Sequence, residues 1–172
     1  MHSRTVFSVI LWLLLGLSVA FAQAPAPAER QDVFGAGASY NSSPTAVPSV
    51  AGTIMYAHRV SDGLYSFTLV DIFAMPNPNA ATPGASSFVI TTTPTTGIAQ
   101  HTRDIGKVKI YVIGTIGAAA GGNEVGWAYS AGGCAYIGLG KGWYAMPNVR
   151  MLKSSLNGEF QGIFGIMFGW GK

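Results

Sequence analysis

From residue 32 onward, bulky apolar residues alternate with small or polar ones at every second position. The last stretch shows this most clearly. Phe160, Gly162, Phe164, Ile166, Phe168 and Trp170 fall on one face of an extended chain, and Gln161, Ile163, Gly165, Met167, Gly169 and Gly171 on the other. The same alternation recurs upstream. Its bulky faces are Phe34 to Tyr40, Val50 to Tyr56, Tyr65–Phe67–Leu69–Phe73, Val108 to Ile116, Val125 to Leu139 and Trp143 to Met151. A weaker, threonine-rich stretch, Ser86 to His101, places Phe88, Ile90 and Ile98 on one parity. Helical spacing is absent, and Gly, Thr and β-branched residues recur throughout. The pattern predicts an all-β chain of eight strands.

The connections alternate in kind. Ser61-Asp62-Gly63 and Gly140-Lys141-Gly142 are tight-turn signals, and His101 to Gly106 is somewhat longer. Between them lie Asn41 to Pro48, Met75 to Ser87 and Gly117 to Glu124, read as longer loops rich in Pro, Asn, Ala and Gly. Ser155-Leu156-Asn157-Gly158 is short and departs from the trend. Short turns at one end and longer loops at the other describe an eight-stranded antiparallel up-and-down transmembrane β-barrel, with both termini on the short-turn side.

The face opposite the bulky one holds too much glycine to cover a water-facing exterior, but small residues suit a narrow lumen. The bulky face is therefore expected to meet lipid. Closure would satisfy every backbone group in hydrocarbon. Tyr40, Tyr65, Trp127, Trp143, Phe160 and Trp170 lie near strand ends, where rings suit membrane interfaces. Asp71 falls on the supposed lipid face, which predicts a bulge or an early strand end. Pro94 and Pro147 each delete a ladder donor and predict bulges or positions beyond the membrane.

The inward set carries Arg59, Lys107, Lys109, Glu124 and Arg150, a candidate polar cluster for the lumen. Charges there must be paired or wet, and parity suggests an Arg150–Glu124 ion pair. An eight-stranded lumen is usually filled, so a plug is expected rather than an ion path.

The amino terminus reads as a targeting segment. Arg4 precedes the apolar run Val6 to Ala20, and Ala20-Phe21-Ala22 matches a small-x-small cleavage site. The expected division is a secretory signal peptide over 1–22, an Ala/Pro-rich leader over 23–31 and the barrel over 32–172. Removing 22 of 172 residues leaves 150, with 22 of the 23 glycines and a formal charge of +2. The hydrophobic share falls from 49% to about 46%, which is ordinary. What stays unusual is scarce charge and abundant glycine, and a lipid-clad, narrow barrel explains both. The small, scattered charge excludes a nucleic-acid face. Cys134 is the single cysteine, so no internal disulfide forms, and a buried side chain is expected there rather than a metal ligand.

With this signal, the repeated alternation and the amphipathic last strand Phe160, Phe164, Phe168 and Trp170, the chain resembles the small outer-membrane barrels of the outer membrane protein A and opacity-protein group over about residues 32–172. The resemblance implies residence in the cell outer membrane, outer-membrane lipid as surroundings, and recognition of the terminal aromatic strand by the barrel-assembly machinery. Here Gly171 and Lys172 follow Trp170, a departure from that ending.

No G-x-S-x-G motif nominates a nucleophile, and Gly121-Gly122 and Gly132-Gly133 lack the lysine and helix of a phosphate loop. His58 and His101 sit near turns, the latter three residues before Asp104. The expected role is structural or surface-associated (membrane integrity or adhesion), without catalysis, cofactor or metal, and with loop 75–87 as the candidate contact for a surface ligand. The alternatives are a soluble secreted barrel holding a small apolar ligand and, third, a lipid-modifying outer-membrane enzyme.

Overall fold

The structure, a computed structural model, describes residues 30–42, 49–76, 88–156 and 158–171. The signal segment, almost all of the leader and most of loop 75–87 lie outside these residues. Eight strands follow one another: β1 (Asp32–Ser42), β2 (Ser49–Ser61), β3 (Leu64–Pro76), β4 (Phe88–Ile105), β5 (Val108–Gly121), β6 (Glu124–Gly140), β7 (Trp143–Ser154) and β8 (Phe160–Gly171). Each pairs antiparallel with the next, and β1 closes onto β8 from Val33↔Gly171 to Ser42↔Gly162. All strands have 11 to 18 residues, enough to cross a bilayer at a tilt of about 45°.

Turns Asp62-Gly63, Gly106-Lys107 and Lys141-Gly142 mark one end of the barrel. Gly63 (φ 71°), Gly106 (φ 60°) and Lys141 (φ 51°) take the left-handed backbone that such reversals need. All three register shifts, at Arg59/Ser61, His101/Arg103 and Gly138/Gly140, gather at this end. At the other end the expected long loop over Gly117 to Glu124 does not form. The alternation continues through its alanines, β5 runs on to Gly121, and Gly122-Asn123 alone makes the turn. The prolines also differ from expectation. Pairing skips from Thr92↔Ala120 to Thr95↔Gly117 around Pro94, and from Cys134↔Asn148 to Ile137↔Ala145 beside Pro147. Each proline stays paired on its other side, to Val70 and Ile166, so the register holds and neither is a bulge.

Seven strands present the expected face outward. Phe34, Ile54, Ile116, Trp127, Val149 and Phe164 are among the exposed apolar side chains, a surface that only lipid covers at low cost. The exception is β3, whose faces are exchanged. Tyr65, Phe67, Leu69, Asp71 and Phe73 are buried inside, and the outer face is Leu64, Ser66, Thr68, Val70 and Ile72. Asp71 therefore reaches the lumen with no bulge, and Tyr65 is not an interface aromatic. The outward hydroxyls nearby serve the backbone: Ser66 Oγ donates to the carbonyl of His58 and Thr96 Oγ1 to that of Phe67.

The inside is tiered. An apolar cluster with Met55, Phe67, Leu69, Tyr111, Met146 and Met167 fills the short-turn half. A smaller one with Phe73, Ala128, Leu152 and Ile163 fills the loop half. Buried polar residues separate them.

Many inward glycines answer to backbone rather than to lumen space. A Cβ on Gly97 would overlap the carbonyl oxygen of Gly114, and one on Gly132 that of Val149. The sheet bends there so sharply that the neighbouring strand occupies the side-chain position. Gly35 makes room for the hydroxyl of Tyr144, which donates to the carbonyl of Phe34, and Gly169 answers both to that carbonyl oxygen and to the Tyr144 ring. Gly52 and Gly114, where a Cβ meets nothing within 4 Å, are the internal controls. Gly97→Ala and Gly132→Ala are each expected to cost roughly 1–3 kcal/mol by overpacking. Gly52→Ala and Gly114→Ala are expected to leave the urea midpoint of the lipid-embedded barrel unchanged.

Candidate functional site

The polar layer is built around one ion pair. Asp71 on β3 and Arg150 on β7 each expose 1% of their side chain. Arg150 Nη1 donates to Asp71 Oδ2 at 3.0 Å and Nη2 to Oδ1 at 2.8 Å, a bidentate fork. Arg150 Nε donates to Asn148 Oδ1 at 3.3 Å. Thr53 Oγ1 donates to Asp71 Oδ1 at 2.7 Å and lies 3.3 Å from Ser39 Oγ. On the far wall Thr115 Oγ1 and Ser130 Oγ lie 2.7 Å apart. Thr93 and Thr95 add buried hydroxyls without a hydrogen-bond partner among the described residues. Together these side chains form a girdle across the lumen.

The alternation that puts Arg150 inward on β7 and Asp71 inward on β3 supplies the charges. Closure of the sheet brings them together across 79 positions of sequence. Buried carboxylate and guanidinium each lose hydration, which only mutual contact and further hydrogen bonds offset. The third bond that Asp71 accepts, from Thr53, and the third that Arg150 donates, to Asn148, meet that need.

The other residues read as a lumen cluster are dispersed. Lys109 is half-buried in the short-turn half, beside the apolar cluster. Arg59 is at the same end and pairs with Asp62 of the turn. Lys107 is exposed in the turn Gly106-Lys107. Glu124 is exposed at the tip of β6, so it is not the partner of Arg150; Asp71 is. The sequence signal for that partner was present in the anomaly itself: a lone carboxylate on a face read as lipid-facing points inward. Phe160, Phe164, Phe168 and Trp170 line the outer face of β8, exposed.

Two histidine–carboxylate pairs lie at the short-turn rim. His101 Nε2 sits 2.9 Å from Asp104 Oδ1. His58 Nδ1 sits 2.9 Å from Asp32 Oδ1, which also accepts from the Tyr56 hydroxyl at 2.8 Å. Gln31 Nε2 is 3.4 Å from His58 Nε2. Among the described residues no serine hydroxyl or cysteine thiol bonds to either imidazole. No group of three or more His, Cys, Asp or Glu gathers among them either.

The girdle makes a direct prediction. Arg150→Met or Asp71→Leu alone strands a buried charge and is expected to cost about 3–5 kcal/mol. The double variant Asp71→Leu/Arg150→Met is expected to recover most of that loss. Urea unfolding of all three proteins in phospholipid vesicles measures both steps.

No protein-family model and no curated protein sequence matches the chain. Solved structures do. Neisserial surface protein A superposes with a TM-score of 0.66 at 9% identity, covering 83% of this chain and 97% of its own. The attachment invasion locus protein of Yersinia pestis gives 0.54 at 9% identity, with 83% and 99% covered. Outer membrane protein W of E. coli gives 0.50 at 13%, with 83% and 98% covered. The likeness is one of architecture, and the apolar exterior suits the same surroundings: this chain has the fold of the small eight-stranded outer-membrane β-barrels.

Proposed function

We propose that the chain is a structural barrel of the bacterial outer membrane, closed to ions, that holds its longer connections at the cell surface. It serves membrane integrity or attachment and catalyses nothing. The buried Asp71–Arg150 girdle carries this reading, because it bars the lumen between two apolar clusters. The apolar exterior supports a membrane barrel over a soluble one that would hold its ligand in water. The rim histidines pair with carboxylates and lack an adjoining nucleophile, which favours a structural role over lipid modification. Two proteins of the same architecture are, by name, a surface protein and an attachment invasion locus protein. The connection over residues 75–87, proline-rich and the longest in sequence, is the candidate contact for a surface ligand. The barrel-assembly machinery is the proposed reader of β8.

Fractionation tests the placement. The protein is expected in the outer-membrane fraction, with a gel mobility that shifts on heating as the barrel unfolds; recovery in the soluble periplasmic fraction overturns the reading. Planar-bilayer recording tests the closed lumen. The wild-type chain is expected to show no steady conductance, and a steady conductance that changes in Arg150→Ala would make the barrel an ion path.

A further inference from the structure

The short-turn half of the lumen holds a cavity of about 50 Å³. A benzene ring needs roughly 150 Å³, so no ring-sized guest enters. The walls are mostly Met, Phe, Leu, Ala and Tyr, which offer water few bonds. Four of the wall residues carry sulfur: Met55 on β2, Cys134 on β6, Met146 on β7 and Met167 on β8. All four are buried, with exposures of 3% to 8%. Methionine ordinarily closes a gap in a core by bending into it. Here three methionines surround a gap that stays open.

The register gathers these side chains. Met146 and Met167 are direct partners across the β7–β8 ladder and both point inward, which sets their Cβ atoms about 5 Å apart. Cys134, a free thiol, pairs with Asn148, two residues along β7 from Met146. It has no second cysteine or histidine cluster beside it; closure of the barrel surrounds it with thioethers instead. Met55 is brought in by glycine. Its partner on β1 is Gly35, and the β1 partner of Met167 is Gly37, so no β1 side chain stands between the two methionines. The Met55 methyl lies 3.6 Å from where a Cβ on Gly35 would be, so the side chain extends over β1, the strand that separates β2 from β8.

The remaining wall groups favour a soft ion over a hard one. Among the described residues no imidazole and no carboxylate lines the cavity. Arg150 is held in the fork of Asp71, and Lys109 has a partner of its own. Zinc, magnesium and calcium take nitrogen, oxygen or several thiolates. Thioether and thiolate sulfur together select copper(I).

We propose that this chamber is a site for a soft monovalent cation, copper(I), held by the thioethers of Met55, Met146 and Met167 and by Cys134. A thioether binds without losing a proton. Cys134 binds as thiolate: its S–H bond breaks, the proton passes to water, and a sulfur–metal bond forms. One monovalent cation with one thiolate is uncharged overall, the form that an apolar chamber accepts at least cost. The girdle closes the inner end, so the ion enters and leaves at the short-turn end, which in outer-membrane barrels faces the periplasm. The site is independent of the structural role proposed above, since a barrel closed to ion flow can still hold an ion on one side of its girdle.

The test uses the barrel in phospholipid nanodiscs, with silver nitrate as a redox-inert stand-in for copper(I) and zinc nitrate as the harder counterpart. In methionine-methyl NMR the Met55, Met146 and Met167 methyls are expected to move together and saturate at one silver per barrel. Met151, exposed on the outer face, is expected to stay put. Zinc is expected to move none of the three. One proton should be released for each silver bound, and none in Cys134→Ser. Met146→Leu/Met167→Leu conserves core volume and should weaken silver binding about a hundredfold. The heat-dependent gel shift checks that this variant folds, and Cys134→Ser, which should also weaken binding, carries the test if it does not. Absence of saturation at one equivalent, equal movement of Met151, an equal response to zinc, or full-strength binding in either variant overturns the proposal.

Discussion

Hydrocarbon offers a peptide group nothing to bond to, and the whole architecture follows from that constraint. An open sheet would leave two edges bare, so β1 must meet β8, and the seam from Val33↔Gly171 to Ser42↔Gly162 removes both. Closing eight strands demands sharp bending, and bending brings neighbouring backbones where side chains would stand. Gly97 and Gly132 occupy such points. The abundance of glycine is thus in large part a consequence of curvature, and only partly of a narrow lumen.

Closure also decides what the interior must be. Eight strands leave room for side chains and little else. The chain fills that room with two apolar clusters and one band of polar groups, and places its two most deeply buried charges in the band. A charged pair is a costly way to fill a core, but it is directional. The fork of Arg150 accepts one carboxylate in one orientation, which ties β7 to β3 across the lumen and discriminates against a slipped register.

Much of this was legible in the sequence. Period two marked all eight strands, the tight turns marked one end, and parity found the outer face of seven strands. It fails on β3 because bulk alone does not mark the lipid face. Where the lumen is itself apolar, Tyr65, Phe67 and Leu69 are as much at home inside as out, and the outer Ser66 and Thr68 escape notice because their hydroxyls can turn to the backbone. The lone carboxylate at Asp71 was the better guide. The Arg150–Glu124 pairing failed for a different reason: parity tells which way a side chain points but not its height along the barrel, and Glu124 stands at the tip of its strand. The loop expected over Gly117 to Glu124 is absent because alanine and glycine suit two strands meeting in a tight turn as well as they suit a loop.

Cys134, the single cysteine, is buried in the apolar cluster of the short-turn half. A chain sent across the cell envelope passes through an oxidising compartment. There an unpaired thiol on an extended chain is open to capture by another chain or by an oxidase. Once the ladder closes, the wall of the barrel stands between that thiol and any protein-sized oxidant. Folding therefore retires the reactive group, and only molecules stalled in transit remain exposed to covalent entanglement. The barrel seam acts in this way as a chemical safeguard as well as a mechanical one.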